Sequence, residues 1–206
     1  MKKRNVFKIF SLRGFVFIGI ASAALVFASC EKEEDAFIEE SMKAEQEAML
    51  KGAPKKGTES IAQIAINNGF DELVAALAYV DGAEGTSLVD LFLNGRDQYT
   101  VFAPTDEAFL ALYDFFGVGG VTELPSETVL NVLYYHVTEG RRASNSVVPK
   151  NGVRTIETLL GATFDVNPNL EIEAIGNTAD IVAADISASN GIIHVIDAVI
   201  LPIEVN

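Results

Sequence analysis

The chain is poor in the side chains that carry most catalytic and metal chemistry: its 206 residues hold one cysteine, Cys30, and two histidines, His136 and His194. A lone cysteine closes no disulfide within the chain, so stability has to come from packing. The two imidazoles are the only candidates for general-base work near neutral pH. They announce no dyad. Asp197 follows His194 by three positions, and on one strand that spacing sends the two side chains to opposite faces. No glycine-rich phosphate loop, no His or Cys cluster at metal-ligand spacing and no nucleophile motif is present, so neither cofactor nor metal is expected. The run from Asp165 to Asn169, DVNPN, begins like a calcium loop, but Leu170 stands where glycine is needed and Gly176 where glutamate is needed. It reads as a turn. Positive charge is scarce as well, with 15 Lys and Arg against 29 Asp and Glu, a net of -14. Such a surface repels phosphate backbones, which disfavours nucleic acid and anionic membranes as partners.

The uncharged run Gly14 to Ser29 has 16 residues, shorter than the roughly 20 that a spanning helix needs. Lys2, Lys3, Arg4, Lys8 and Arg13 precede it, and residues 1–29 contain no acid. A basic start, an apolar centre and a small-residue end form an export signal, with an uncleaved anchor as the other reading. Loss of this leader would leave 10 basic against 29 acidic residues, a net of -19. Ala28-Ser29-Cys30 resembles the end of bacterial lipoprotein signal peptides, in which the cysteine is lipidated and becomes the new N-terminus; here Phe27 stands where that family more often has leucine. The following Glu31-Lys32-Glu33-Glu34-Asp35 is similar to the surface-export signal of Bacteroidetes lipoproteins, or is a solvated charge run. Lipid on Cys30 implies attachment to a membrane through more than one acyl chain. Residues 36–58 are charged and poor in β-branched residues, with Glu39/Lys43 and Glu47/Lys51 at helix-pairing distance. The organisation is therefore a leader over 1–29, a charged tether over 30–58 and one domain over 59–206.

Within that domain, Ile61, Ile64 and Ala65, then Leu73, Val74, Leu77 and Ala78, recur at helical spacing on either side of Asn67-Asn68-Gly69. Ser87 to Leu93 predicts a third short helix. Tyr99 to Ala103 alternates as a strand that Pro104 ends, and Thr105 or Asp106 caps a helix carrying Ala108, Phe109 and Leu112 inward. Asp106 and Glu107 are neighbours on that helix and point apart, so they form no acid pair. Pro125-Ser126 opens another helix, with Ser126 as cap and Val129, Leu133 and His136 on one stripe. Arg141-Arg142 is an isolated, solvated basic pair. Short runs at Val153–Leu160, Thr163–Val166, Leu170–Ile175 and Asp180–Ala184 predict antiparallel strands. Last comes NGIIHVIDAVILP, Asn190 to Pro202, apolar at both odd and even positions, as a central strand covered on both faces is. Asn190-Gly191 reads as a tight turn at its start and Pro202 as its end.

Three blocks in this order, YTVFAPTDEAF from Tyr99, LYYHV from Leu133 and NGIIHVIDAVILP from Asn190, resemble the motifs of the fasciclin (FAS1) domain family over about Ser60 to Pro202. The resemblance implies an α/β (α+β) fold, a β-sandwich wedge with helices packed on it. It also implies extracellular adhesion and matrix binding without a common catalytic activity. Tyr135-His136 coincides with the tyrosine-histidine pair that animal members are held to use toward integrins, and Asp185-Ile186 with their Asp-Ile dipeptide, here preceded by Ala183-Ala184. Read from the residues alone, His136 is a hydrogen-bonded core histidine, Ile186 is core and Asp185 is a turn acceptor. The expected function is a surface-anchored lipoprotein, not an enzyme, that binds extracellular proteins or glycans. The alternative is a glycan-handling protein or hydrolase of a polysaccharide-uptake system, with two carboxylates facing a cleft lined by aromatics such as Tyr79, Tyr99, Tyr113 or Tyr134.

Overall fold

The computed structural model describes residues 55–205. The leader, Cys30 and most of the tether lie outside these residues. Three helices open the domain: α1 (Ile61–Asn67), α2 (Asp71–Glu84) and α3 (Leu88–Asn94). The Ser60 hydroxyl accepts the Gln63 N–H and caps α1. Gly69, at φ 74, makes the left-handed corner into α2. Ser87 makes no side-chain cap for α3; the carboxylate of Asp81, on α2, accepts the N–H groups of Leu88 and Val89 instead. One side chain thereby fixes the angle between two helices.

Seven strands follow: β1 (Tyr99–Pro104), β2 (Val137–Glu139), β3 (Arg154–Glu157), β4 (Thr163–Val166), β5 (Glu171–Glu173), β6 (Thr178–Ser187) and β7 (Gly191–Ile196). They form one ladder in the order β2-β1-β7-β6-β5-β4-β3. Only β1 and β7 pair in parallel, Tyr99 opposite Gly191 through Pro104 opposite Ile196. The two ends of the ladder meet: Leu159 N–H donates to Val137 O at 2.8 Å, and the Thr138 hydroxyl to Glu157 O at 2.7 Å. A sheet that closes on itself in this way leaves little open edge. Helices α4 (Asp106–Phe116), α5 (Ser126–Tyr135) and the short α6 (Ser144–Val147) complete the domain.

The last strand is central, as its pattern predicts, and it divides two cores. Ile193 and Val195 face the helical core with Val101, Ala103, Leu73 and Leu133. Ile196 faces the core inside the curled sheet with Phe102, Phe164, Ile172 and Tyr135. Alternation across one strand explains why both registers of the sequence had to be apolar.

Three local expectations are corrected. Strand β7 stops at Ile196 instead of running to Pro202. Its parallel partner ends at Pro104, and from there side chains satisfy the backbone: Ile200 N–H donates to His136 Nε2 and Leu201 N–H to Asn177 Oδ1. Asn190-Gly191 needs no positive φ; Asn190 is buried, accepting from Ile61 N–H and donating to Phe92 O. Gly191 is required because a Cβ there would lie 2.1 Å from Tyr99 O. Ser126 is the first residue of α5, not its cap; Pro125 holds the cap position and the Ser126 hydroxyl donates to Glu84.

Candidate functional site

Each histidine is buried and committed at both ring nitrogens. His136 is 2% exposed; its Nδ1–H donates to Val132 O at 2.7 Å, and its Nε2 accepts the Ile200 N–H at 3.1 Å. His194, fully buried, holds the opposite tautomer. Its Nε2–H donates to Arg142 O at 3.0 Å while Nδ1 accepts the Asp185 N–H at 3.3 Å. A second proton on either ring would face a backbone N–H. Burial accordingly pushes His136 down to about 4, and it lowers His194 as well, against the opposing pull of the Arg142 carbonyl. The two rings therefore lock backbone segments to the sheet, and neither has a ring nitrogen free for chemistry.

The other carried-over residues behave the same way. Tyr135 is buried to 0% exposure, donates to Thr163 O at 2.8 Å and accepts from Ile175 N–H. The Tyr135-His136 pair thus offers no surface to a receptor: α5 ends there, and its last turn dives between the two cores. Asp185 lies in β6 at φ 64, where the pairing with β7 shifts register. Its carboxylate accepts the Ser144 N–H at 2.7 Å and the Ser144 hydroxyl at 2.6 Å, fastening the start of α6 to the bulge. Ile186 is half-buried and packs on the helical core. Structural roles account for all four residues.

Arg141 is not the solvated cation that the sequence suggested. Its guanidinium donates to Ala188 O at 2.9 Å, to Lys55 O at 3.4 Å and to the Ser187 hydroxyl at 2.5 Å. It clamps the β6–β7 turn against Lys55–Thr58, residues assigned from sequence to the tether. Gly57 sits so close to that turn that a Cβ would fall 2.0 Å from Ser187 O.

The four tyrosines named for a glycan cleft do not line one wall of acids. Tyr79 donates to Leu124 O, Tyr113 is buried and donates to Glu72 at 2.8 Å, and Tyr99 meets Phe92 edge to face at 5.8 Å. Burial, then Glu72, push the Tyr113 hydroxyl far above the usual phenol range. Tyr134 is half-buried against the helical core. Three acids do gather elsewhere: Glu171, Asp180 and Asp197 border a shallow hollow of 200 Å³. Burial and the neighbouring Asp197 and Glu171 raise the Asp180 carboxyl. Asp197 commits an oxygen to the Asp180 N–H and Glu171 one to Asn167. No tyrosine lines the hollow, and among the described residues no group of His, Cys, Asp and Glu is arranged to hold a metal ion.

The opening that sequence reasoning missed is apolar. Helices α2, α4 and α5 and residues 199–203 enclose a cleft of 360 Å³. Its floor is Ala76, Leu133 and His136, all buried, and its mouth is flanked by Thr128, Asn131, Phe116 and Ile203, all exposed. Each helical wall is an ordinary apolar stripe in sequence, and nothing local marks which stripes fail to close on one another. The one signal is aromatic: Phe115-Phe116 ends α4 with two rings that the domain leaves 62% and 43% exposed.

The profile of the fasciclin domain matches residues 69–202, well over half of the chain. The chain belongs to the fasciclin domain family. Relatives include Protein sll1483 of Synechocystis sp., 34% identical over 77% of this chain and 82% of its own length. Immunogenic protein MPB70 of Mycobacterium bovis is 35% identical, covering 69% of this chain and 68% of itself. A solved FAS1 domain pair from the insect cell adhesion molecule Fasciclin I overlays with a TM-score of 0.48 and 19% identity, covering 68% of this chain and 47% of that one. The mixed α/β wedge expected from the three sequence blocks is the fold observed. Its sheet is one curled seven-strand ladder.

Proposed function

We propose that this fasciclin domain is a non-enzymatic binding module displayed on the outer face of a bacterial cell envelope, held by lipid on Cys30 and a charged tether, and that it engages an extracellular protein or glycan. The observation that carries the reading is the commitment of every ring nitrogen of His136 and His194 to the fold. With both imidazoles spent on holding backbone, recognition falls to the outer surface. The acidic composition suits a solvated, displayed domain, and the Ala28-Ser29-Cys30 leader with its Glu31–Asp35 run suits export in the manner of Bacteroidetes surface lipoproteins.

The test has two arms. Protease treatment of intact cells removes the domain if it is displayed, and Cys30→Ala releases it from the membrane fraction. A strain lacking the protein then adheres less to cells, matrix proteins or glycans, and an array of those ligands identifies the partner. Unchanged attachment on every surface, with the array blank, sinks the adhesion reading.

A further inference from the structure

We propose that the cleft between α2, α4, α5 and residues 199–203 binds an uncharged, single-chain lipid, with its hydrocarbon tail inside and a hydroxyl or ester at the mouth. Its volume of 360 Å³ falls within the range of about 300 to 1,000 Å³ typical of small-molecule pockets. No Lys, Arg, Asp or Glu lines it. The polar groups at depth are already spent, His136 on two backbone groups and the Tyr113 hydroxyl on Glu72. Water inside would therefore lack the two to four partners that hold an ordered water in place, and hydrocarbon displaces it readily.

Charge selects the head group. Glu72 stands behind the Tyr113 wall, the Glu72 N–H is taken by Asp106, and the whole chain carries -14. With no cation in the lining, a carboxylate or phosphate head is repelled. At the mouth, Thr128 and Asn131 are three positions apart on α5 and share a face. Both are exposed, and neither side chain makes a hydrogen bond within the described residues. They supply the donor and acceptors that a neutral hydroxyl or ester needs. Phe116 and Ile203, 43% and 55% exposed, extend the apolar track beyond the opening for the rest of a long chain.

The test uses the purified, delipidated full-length chain with the neutral dye Nile red as probe and 1-monooleoylglycerol and oleate as competitors. The expected result is saturable dye binding at one site, displaced by monooleoylglycerol at least tenfold more effectively than by oleate. Val132→Trp fills the cleft from its wall and weakens the dye at least tenfold. Thr128→Trp obstructs the mouth from an exposed position, so it reports even if Val132→Trp does not fold. Thr128→Ala with Asn131→Ala keeps dye binding but narrows the preference for monooleoylglycerol. Dye binding that both tryptophan variants leave unchanged overturns the proposal, as does displacement by oleate as strong as by monooleoylglycerol. So does dimerisation that Thr128→Trp abolishes in a protein that takes up no dye, because the occupant is then a second copy of the chain.

Discussion

The two sides of the central strand β7 are built differently. On the sheet side, strand spacing is fixed by hydrogen bonds, and Phe102, Phe164 and Tyr135 fill the interior edge to face, with ring centroids 5.0 and 5.8 Å apart. The helical side has no such ladder. Helices α2, α4 and α5 touch only through side chains, and where those side chains are too small or too far apart an opening of 360 Å³ persists. A closed, strand-determined core therefore supports an open, helix-determined one, and ligand capacity belongs to the second.

The comparison is broken most severely by Phe102→Ala. Phe102 is fully buried between Phe164 and His194, and its truncation costs about 4 kcal/mol. Val132→Ala on the half-buried cleft wall costs about 1 kcal/mol, because solvent already reaches that face. Urea denaturation of the two variants gives the contrast, and equal costs would mean that the helical side is as tightly packed as the other.

Acid probes the boundary between the two halves, where His136 sits. Its folded value of about 4 lies below the unfolded value of about 6.5, so the unfolded chain binds more protons between them. Stability from this group is full above pH 6.5 and falls as pH drops toward 4, by about 3 kcal/mol in total, with His194 acting in the same direction. Unfolding curves from pH 7 to 4 measure this slope. His136→Phe lowers stability at neutral pH by orphaning the Ile200 N–H, while Val132 O keeps the backbone N–H of residue 136, and it flattens the slope.

Asp185→Ala tests whether the β6 bulge is a fastening on the sheet side. It removes the carboxylate that accepts the Ser144 N–H and hydroxyl and puts alanine at a left-handed φ, for a loss of about 2 kcal/mol by thermal melt. The smallest effect belongs to neither core. Gly57→Ala crowds the Ser187 carbonyl, yet residues 55–58 can lift away, so stability stays within about 0.5 kcal/mol. Proteolysis at Lys55-Lys56 should accelerate nonetheless.

Much of the fold was legible because its signals are local. Ser60 and Thr105 cap their helices, Pro104 ends its strand, and the doubly apolar Gly191–Ile196 lies inside the sheet between β1 and β6. What failed was local as well. Ser126 has a capping side chain but no capping geometry, since Pro125 already supplies the extended backbone that a helix start needs. Arg141 looked solvated because its acceptors, Ala188 O and Lys55 O, are far away in the chain.

By itself the amino-acid order settled the family, the acidic surface and the two-faced central strand, because each depends on residue identity and short-range periodicity. Tertiary structure alone decided that Tyr135, His136 and His194 are inside and fully bonded, and that three unremarkable helix stripes stand apart over an apolar cleft. Burial and gaps are relations between distant segments. They are set by how a curled sheet and three helices share one volume, and no window of sequence contains that geometry.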